Sequence, residues 1–246
     1  MENDDRLEFK FLLHGHQFDA LFSALAPFLL PDPHAGPDGY YPVVSLYYDS
    51  PTRDCYWDGW RGLPTRRKLR IRTYGTAESA GVPNSFLEVK YKADGRGAKR
   101  RVQTSLSNAL QIANGAGAVD GFSAPDLQTV EEVHNLVRRE SYRPACLVRY
   151  SRHAYALRLE DRPGSTPLRV TFDHDLRAGL EGLHQPLERC PTPHVLLAEK
   201  ERIMEVKCSG EIPPLFSEQL ASCGLQPRRF SKYCSALACA GTGSAL

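Results

Sequence analysis

The chain has 246 residues, 41% of them hydrophobic and 24% charged, which is enough for one substantial core and rules out disorder as the dominant state. Thirty-one Lys and Arg oppose 29 Asp and Glu for a net charge of +2, so a global polycation is excluded, and with it the simplest nucleic-acid coat. No run approaches the roughly 20 apolar residues of a membrane span. The acidic start Met1-Glu2-Asn3-Asp4-Asp5 lacks the basic and apolar regions of a secretory signal, so a cytoplasmic protein is expected. Seven Cys, with no Cys-x-x-Cys pair, read as reduced thiols.

Arg6 to Leu13 alternates charge and carbon with the period of a strand, placing Arg6, Glu8 and Lys10 on one face and Leu7, Phe9 and Phe11 on the other. Phe18, Leu21, Phe22, Leu25 and Phe28 then repeat at helical spacing. Val43 to Asp49 and Arg66 to Tyr74 read as strands, separated by a short helical or irregular stretch carrying Trp57 and Trp60. Ser85 to Lys92 and Lys99 to Thr104 follow, preceded by the turn Gly81-Val82-Pro83-Asn84 and joined by the hairpin Asp94-Gly95-Arg96-Gly97. Ser105 to Ile112 and Leu127 to Arg139 look helical. Strands are expected again at 144–152, 153–160, 168–173, 194–200 and 203–208, with a turn at 161–164. Pro213 to Ser222 is expected as a helix, and Phe230 to Ala240 as a short terminal helix or ordered segment. No repeat or linker divides the chain, so a single domain over 1–246 is expected.

Strand parity groups the charges. Lys68, Arg70 and Arg72 share one face against Leu69 and Ile71. Glu88, Lys90 and Lys92 oppose Leu87, Val89 and Tyr91, and Glu205 and Lys207 oppose Met204, Val206 and Cys208. Tyr150 pairs with Arg152, and Arg169, Thr171 and Asp173 line up likewise. An open sheet with one solvated side explains any single strand of this kind. Six such strands dominated by Arg and Lys repel one another unless an anion lies between them. That favours a lumen built for a polyanion, in which guanidinium forks match phosphate oxygens. The carboxylates Glu8, Glu88 and Glu205 fall on the same faces. A divalent cation bridging carboxylate and phosphate removes their repulsion, and an ion pair with a neighbouring Arg is the alternative for each.

The motifs Arg6-x-Glu8-x-Lys10, Ser45-Leu46-Tyr47-Tyr48-Asp49, Lys68-Leu69-Arg70-Ile71-Arg72, Leu87-Glu88-Val89-Lys90, Glu205-Val206-Lys207 and Phe230-Ser231-Lys232-Tyr233 occur in this order. Together, over about residues 6–238, they resemble the catalytic domain of the vacuolar transporter chaperone (VTC), or polyphosphate polymerase, family, within the CYTH-like triphosphate tunnel metalloenzymes. The resemblance implies an α+β fold, a closed antiparallel β-barrel forming a triphosphate tunnel with helices packed outside. It also implies binding of ATP, inorganic polyphosphate or tripolyphosphate with Mn²⁺ or Mg²⁺. On this footing Arg70, Arg72, Arg152 and Arg169 clamp phosphates, Lys10, Lys90 and Lys207 neutralise developing charge, and Lys232 closes over a tunnel mouth. Arg6, Lys92, Tyr150 and Ser231 complete the substrate contacts. Glu205 is the implied metal ligand, with Glu8 as a second contact. The SPX domain and membrane spans of eukaryotic relatives have no counterpart here, and stand-alone versions of this kind look bacterial.

The expected reaction is metal-dependent phosphoryl transfer that builds polyphosphate from ATP. Triphosphate hydrolysis and nucleotidyl cyclisation are the rival chemistries of the same fold, and non-catalytic polyphosphate binding is a rival of another class. Nucleic acid is not expected as a partner, because a closed lumen excludes a duplex. His14-x-His16 is expected as a cap or surface pair, Trp57 and Trp60 as packing residues, and Gly95-x-Gly97 as a hairpin in place of a P-loop.

Overall fold

Alternation of charged and apolar residues is what makes the strands, and the structure keeps that alternation as the two faces of one sheet. The computed structural model describes residues 2–3, 6–36, 38–75, 85–93, 96–158, 168–209 and 212–239; the side chains of Glu2, Asn3, Arg6 and Arg96 fall outside that description. The turns expected at 81–84 and 161–164, and residues 94–95 of the hairpin, lie outside it as well.

The strands are β1 (Glu2–Asn3), β2 (Arg6–Leu13), β3 (Leu29–Pro31), β4 (Tyr41–Asp49), β5 (Arg66–Tyr74), β6 (Ser85–Ala93), β7 (Arg96–Thr104), β8 (Arg143–Leu157), β9 (Leu168–Gly179), β10 (His194–Val195) and β11 (Arg202–Ser209). Among them lie α1 (Gly15–Leu25), α2 (Asp54–Arg61), α3 (Leu106–Ile112), α4 (Ala124–Arg139), α5 (Pro214–Ser222) and α6 (Lys232–Leu237). All strands join one antiparallel sheet in the order β1-β7-β6-β5-β4-β8-β9-β11-β2, with β3 on β8 and β10 on β9. Two strands expected at 144–152 and 153–160 are one, β8, because no turn residue interrupts Ser151-Arg152-His153. A register shift between Arg149 and Ser151 absorbs the irregularity. The strand expected at 194–200 is cut to the two residues of β10.

The sheet curls into a half-barrel with its helices outside. Backbone closure of the barrel is not met among the described residues, since no ladder joins β1 or β7 to β2. A side-chain bridge from Lys90 on β6 to Glu8 on β2, 3.2 Å long, crosses the concave face.

The apolar faces are buried as parity requires. Leu69, Ile71, Val89 and Val206 are each 0% exposed. One core packs β4 to β7 beneath α2, α3 and α4, through Cys55, Ala109, Ile112, Val133 and Leu136. A second packs β2, β9 and β11 beneath α1 and α5, through Leu21, Leu25, Phe172, Met204 and Phe216. Each fully buried Leu, Ile or Val contributes about 1.5–3 kcal/mol.

Trp57 and Trp60 depart from the packing role expected of them, being 40% and 60% exposed. The short helix α2 turns Cys55 and Tyr56 inward, so Trp57 and Trp60 lie over Tyr56 from outside, at ring separations of 4.9 and 6.3 Å. His14 is the N-cap of α1, as expected of a cap or surface residue. No helix among the described residues is long and apolar enough to cross a membrane.

Candidate active site

The concave face of the sheet carries the charges, and two carboxylates on it are gripped tightly. Arg70 on β5 faces Glu88 on β6 in direct register, and its Nε and Nη2 lie 2.7 and 2.6 Å from Glu88 Oε2. Lys99 on β7 adds a second cation, 3.7 Å from Glu88 Oε1. On the other side, Arg152 on β8 donates from Nε and Nη2 to both oxygens of Asp173 on β9, at 2.6 and 2.8 Å. Lys232 of α6 reaches Asp173 Oδ2 at 2.6 Å. Glu88 and Asp173 are 1% and 0% exposed. Burial pushes both carboxyls up, but the surrounding cations outweigh it; Glu88 is held at about 2 and Asp173 below its usual range. These desolvated pairs, fork to fork in Arg152–Asp173 and through a single carboxylate oxygen in Arg70–Glu88, brace the clamp residues.

Two other carboxylates are held more loosely. Glu205 on β11 lies 3.4 Å from Lys232, 3.6 Å from Lys10 and 3.9 Å from Arg152. Glu8 on β2 lies 3.3 Å from Lys10, 3.2 Å from Lys90 and 3.8 Å from Lys207. Burial raises the pKa of Glu8 and the charge of Glu205 adds to that, yet the three lysines hold it at about 2. Glu205 is likewise pushed up by burial and pulled well below its usual value by Lys232, Lys10, Arg152 and Lys207. Both are therefore anionic at neutral pH. No group of three or more His, Cys, Asp or Glu suited to a metal is gathered among the described residues. Two ionised carboxylates whose cation contacts all exceed 3.1 Å suit an ion that takes one or two protein oxygens and completes its shell with phosphate and water.

Between the two braced pairs stands Tyr150, 3% exposed, with Lys232 Nζ 4.7 Å and the Arg152 guanidinium 5.3 Å from its ring centre. Burial raises its pKa against the pull of Arg152, Arg72 and Lys232, so the phenol keeps its proton. Its hydroxyl has no hydrogen-bond partner among the described residues, and neither has the buried hydroxyl of Thr171. Arg72 is anchored by Nε to Ser45 Oγ at 3.0 Å, leaving its charge directed at the same space.

The C-terminal segment closes one end of the concavity. Arg228 N donates to Lys10 O at 2.7 Å, and Lys10 Nζ donates to Phe230 O at 3.2 Å. Beneath Lys232, Tyr233 stacks on Tyr47 at 5.2 Å and donates its hydroxyl to Asp49. Asp49 also accepts the backbone N–H groups of Ser50, Cys55 and Tyr56. It thereby satisfies the start of α2, whose N-cap Arg53 has φ of 60° and makes no side-chain cap bond.

Of the residues named from sequence, Lys10, Arg70, Arg72, Lys90, Tyr150, Arg152, Glu205, Lys207, Lys232 and Glu8 converge on this face. Ser231 is occupied as the N-cap of α6, accepting from Cys234 N at 3.2 Å and Lys68 Nζ at 2.7 Å. Arg169 shares the face but sits where β9 begins, 55% exposed in its side chain and turned to Asp32 at 3.2 Å. Lys92 stands at a rim opposite Arg66, where burial and the like charges of Arg66, Arg229 and Lys90 lower its pKa. The side chain of Arg6 lies outside the described residues. Asp173, Lys99, Lys68 and Asp49 carry no site role in the sequence reading, although Lys68 and Asp49 lie within its motifs. Parity had placed Asp173 on the charged face, and hairpin register pairs Lys99 with Lys90.

The VTC domain family model matches residues 5–240 of the chain. No curated protein matches it in sequence. Among solved structures, a candidate adenylate cyclase of Bacillus halodurans superposes with a TM-score of 0.54 at 14% identity, covering 92% of this chain and 93% of that one. A Hippeastrum protein, a candidate adenylyl cyclase with a dominant triphosphatase activity, gives 0.49 at 15% identity over 93% of each chain. A candidate adenylate cyclase of Vibrio parahaemolyticus gives 0.44 at 12% identity, over 92% of this chain and 94% of that one.

Proposed function

Because the chain belongs to the VTC domain family, we propose that it is a metal-dependent phosphotransferase, moving the γ-phosphoryl group of ATP onto a growing inorganic polyphosphate chain along the concave face. The observation that supports this most is an imbalance of charge. Lys10, Arg70, Arg72, Lys90, Lys99, Arg152, Lys207 and Lys232, eight cations, share the face with four carboxylates, Glu8, Glu88, Asp173 and Glu205. A polyanion supplies the missing negative charge along a line, as a phosphate chain does.

The chemistry asks for positioning and charge stabilisation, with no protein nucleophile. Arg70 and Arg152 have their forks fixed by Glu88 and Asp173, so they meet phosphate oxygens with little loss of side-chain freedom. Arg72 and Lys232 add charge from either side of Tyr150, whose protonated hydroxyl donates to a phosphate oxygen. A terminal phosphate oxygen of the acceptor chain attacks the γ-phosphorus in line, the bond to the ADP oxygen breaks, and Lys10, Lys90 and Lys207 neutralise the charge that moves. Glu205 and Glu8 are the residues that would hold Mn²⁺ or Mg²⁺, which would supply positive charge to offset that of the phosphates.

Incubation with ATP and Mn²⁺, followed by separation of products, tests the reading. Polyphosphate and ADP are expected. Free phosphate alone makes the protein a triphosphatase, cyclic nucleotide makes it a cyclase, and binding without turnover makes it a polyphosphate-binding protein.

A further inference from the structure

Thr171 carries a hydroxyl that packing alone does not require. It is 4% exposed, its Oγ1 has no hydrogen-bond partner among the described residues, and an unpaired buried hydroxyl is costly. Valine forms strands as readily and would spare that cost.

The residue stands within the charge field. On β9 it is directly opposite Glu205 of β11 and Ala154 of β8, and Glu205 is opposite Lys10 of β2. The four side chains form one row across four strands, with opposed Cβ atoms roughly 4.5–5.5 Å apart. Two residues along the same face of β9 is Asp173, with Arg152 and Lys232 bound to it. The oxygens of Glu205 point at Lys10, Lys232 and Arg152. Those of Asp173 are taken by Arg152 and Lys232. Ala154, a single methyl, stands on the other side of the row. A neutral donor in this position offers a hydrogen bond to an anion without adding to the repulsion among the cations.

We propose that Thr171 is a substrate-contacting residue, whose hydroxyl donates to a non-bridging phosphate oxygen of a bound polyphosphate or nucleoside triphosphate. The inference rests on the phosphotransferase reading of the same face, and the experiment separates the two. Wild type, Thr171→Val and Thr171→Ser are titrated calorimetrically with inorganic tripolyphosphate, first in chelator and then in excess Mn²⁺, and the ligand-free proteins are melted. Thr171→Val is expected to bind about tenfold or more weakly, the loss of one hydrogen bond to a charged group, while Thr171→Ser stays close to wild type. Ligand-free Thr171→Val is expected to melt no lower than wild type, because it no longer buries an unpaired hydroxyl. Equal affinity in wild type and Thr171→Val overturns the inference. So does a loss of affinity that comes with a lower melting temperature, which makes the hydroxyl structural. If Thr171→Val does not fold, Thr171→Ala is titrated in its place and read in the same way. Failure of wild type to bind tripolyphosphate in either condition overturns the phosphotransferase reading, and the inference with it.

Discussion

Glu88 and Glu205 are carboxylates on the same face with different work to do, and their geometry predicts different mutants. Glu88 is gripped at 2.6 and 2.7 Å, and its pKa falls from an ordinary 4.5 to about 2. A depressed carboxyl stabilises the fold fully above its unfolded pKa, and the contribution fades as pH falls from about 4.5 toward 2, worth about 3 kcal/mol in all. Urea unfolding of Glu88→Gln is expected to show a deficit of that order at pH 7 that shrinks by pH 3. A deficit independent of pH would remove the charge argument. Glu205, held at 3.4 to 3.9 Å, restrains cations without locking them. Glu205→Gln is expected to abolish metal-dependent turnover while tripolyphosphate binding in chelator persists or strengthens. Weaker binding in chelator would make Glu205 a brace like Glu88. Both residues were legible from parity alone, since alternation assigns a face. Alternation says nothing of depth, however. Asp173 and Arg169 share a face of β9, yet one is 0% exposed and braces two cations, and the other turns outward to Asp32.

At the scale of elements, α6 is the part whose placement decides the site, because it brings Lys232 to Asp173 and Glu205. The helix is six residues long and too short to hold its position by itself. Tyr233 pins it to Asp49, at the end of β4, which also orders the start of α2. Tyr233→Phe keeps the stacking on Tyr47 and removes only the hydroxyl. It is expected to cost about 1.5–3 kcal/mol in denaturant unfolding, the range for a hydrogen bond to a charged group, and to weaken tripolyphosphate binding through Lys232. Unchanged affinity at reduced stability would show that Lys232 is positioned without this pin. The helix and its Ser-Lys-Tyr motif were legible in sequence. Its anchorage was not, since Tyr233 and Asp49 lie 184 positions apart and no periodicity links them. The length of β8 is hidden from sequence for a related reason, because a register shift inside a strand leaves no mark on alternation.

Across the whole molecule, two apolar cores sit under opposite arcs of one sheet, and the strands expected to close a barrel leave their last ladder unmade among the described residues. Local patterning identifies strands and their faces, but closure depends on how curl and stagger accumulate over the whole sheet, which no single segment encodes. Lys90 of β6 and Glu8 of β2 meet across the concave face, with Lys90 43% exposed in its side chain, and such a pair is worth about 0–1 kcal/mol. A closed hole must be threaded by a free end, and at fixed phosphate concentration ends grow scarcer as chains lengthen. A face held across only by so weak a pair would admit a chain broadside, anywhere along its length. The association rate of linear polyphosphate per phosphate unit, measured by stopped flow, is therefore expected to stay level as the chain is lengthened. Rings of metaphosphate, which have no end to thread, should compete for the same face.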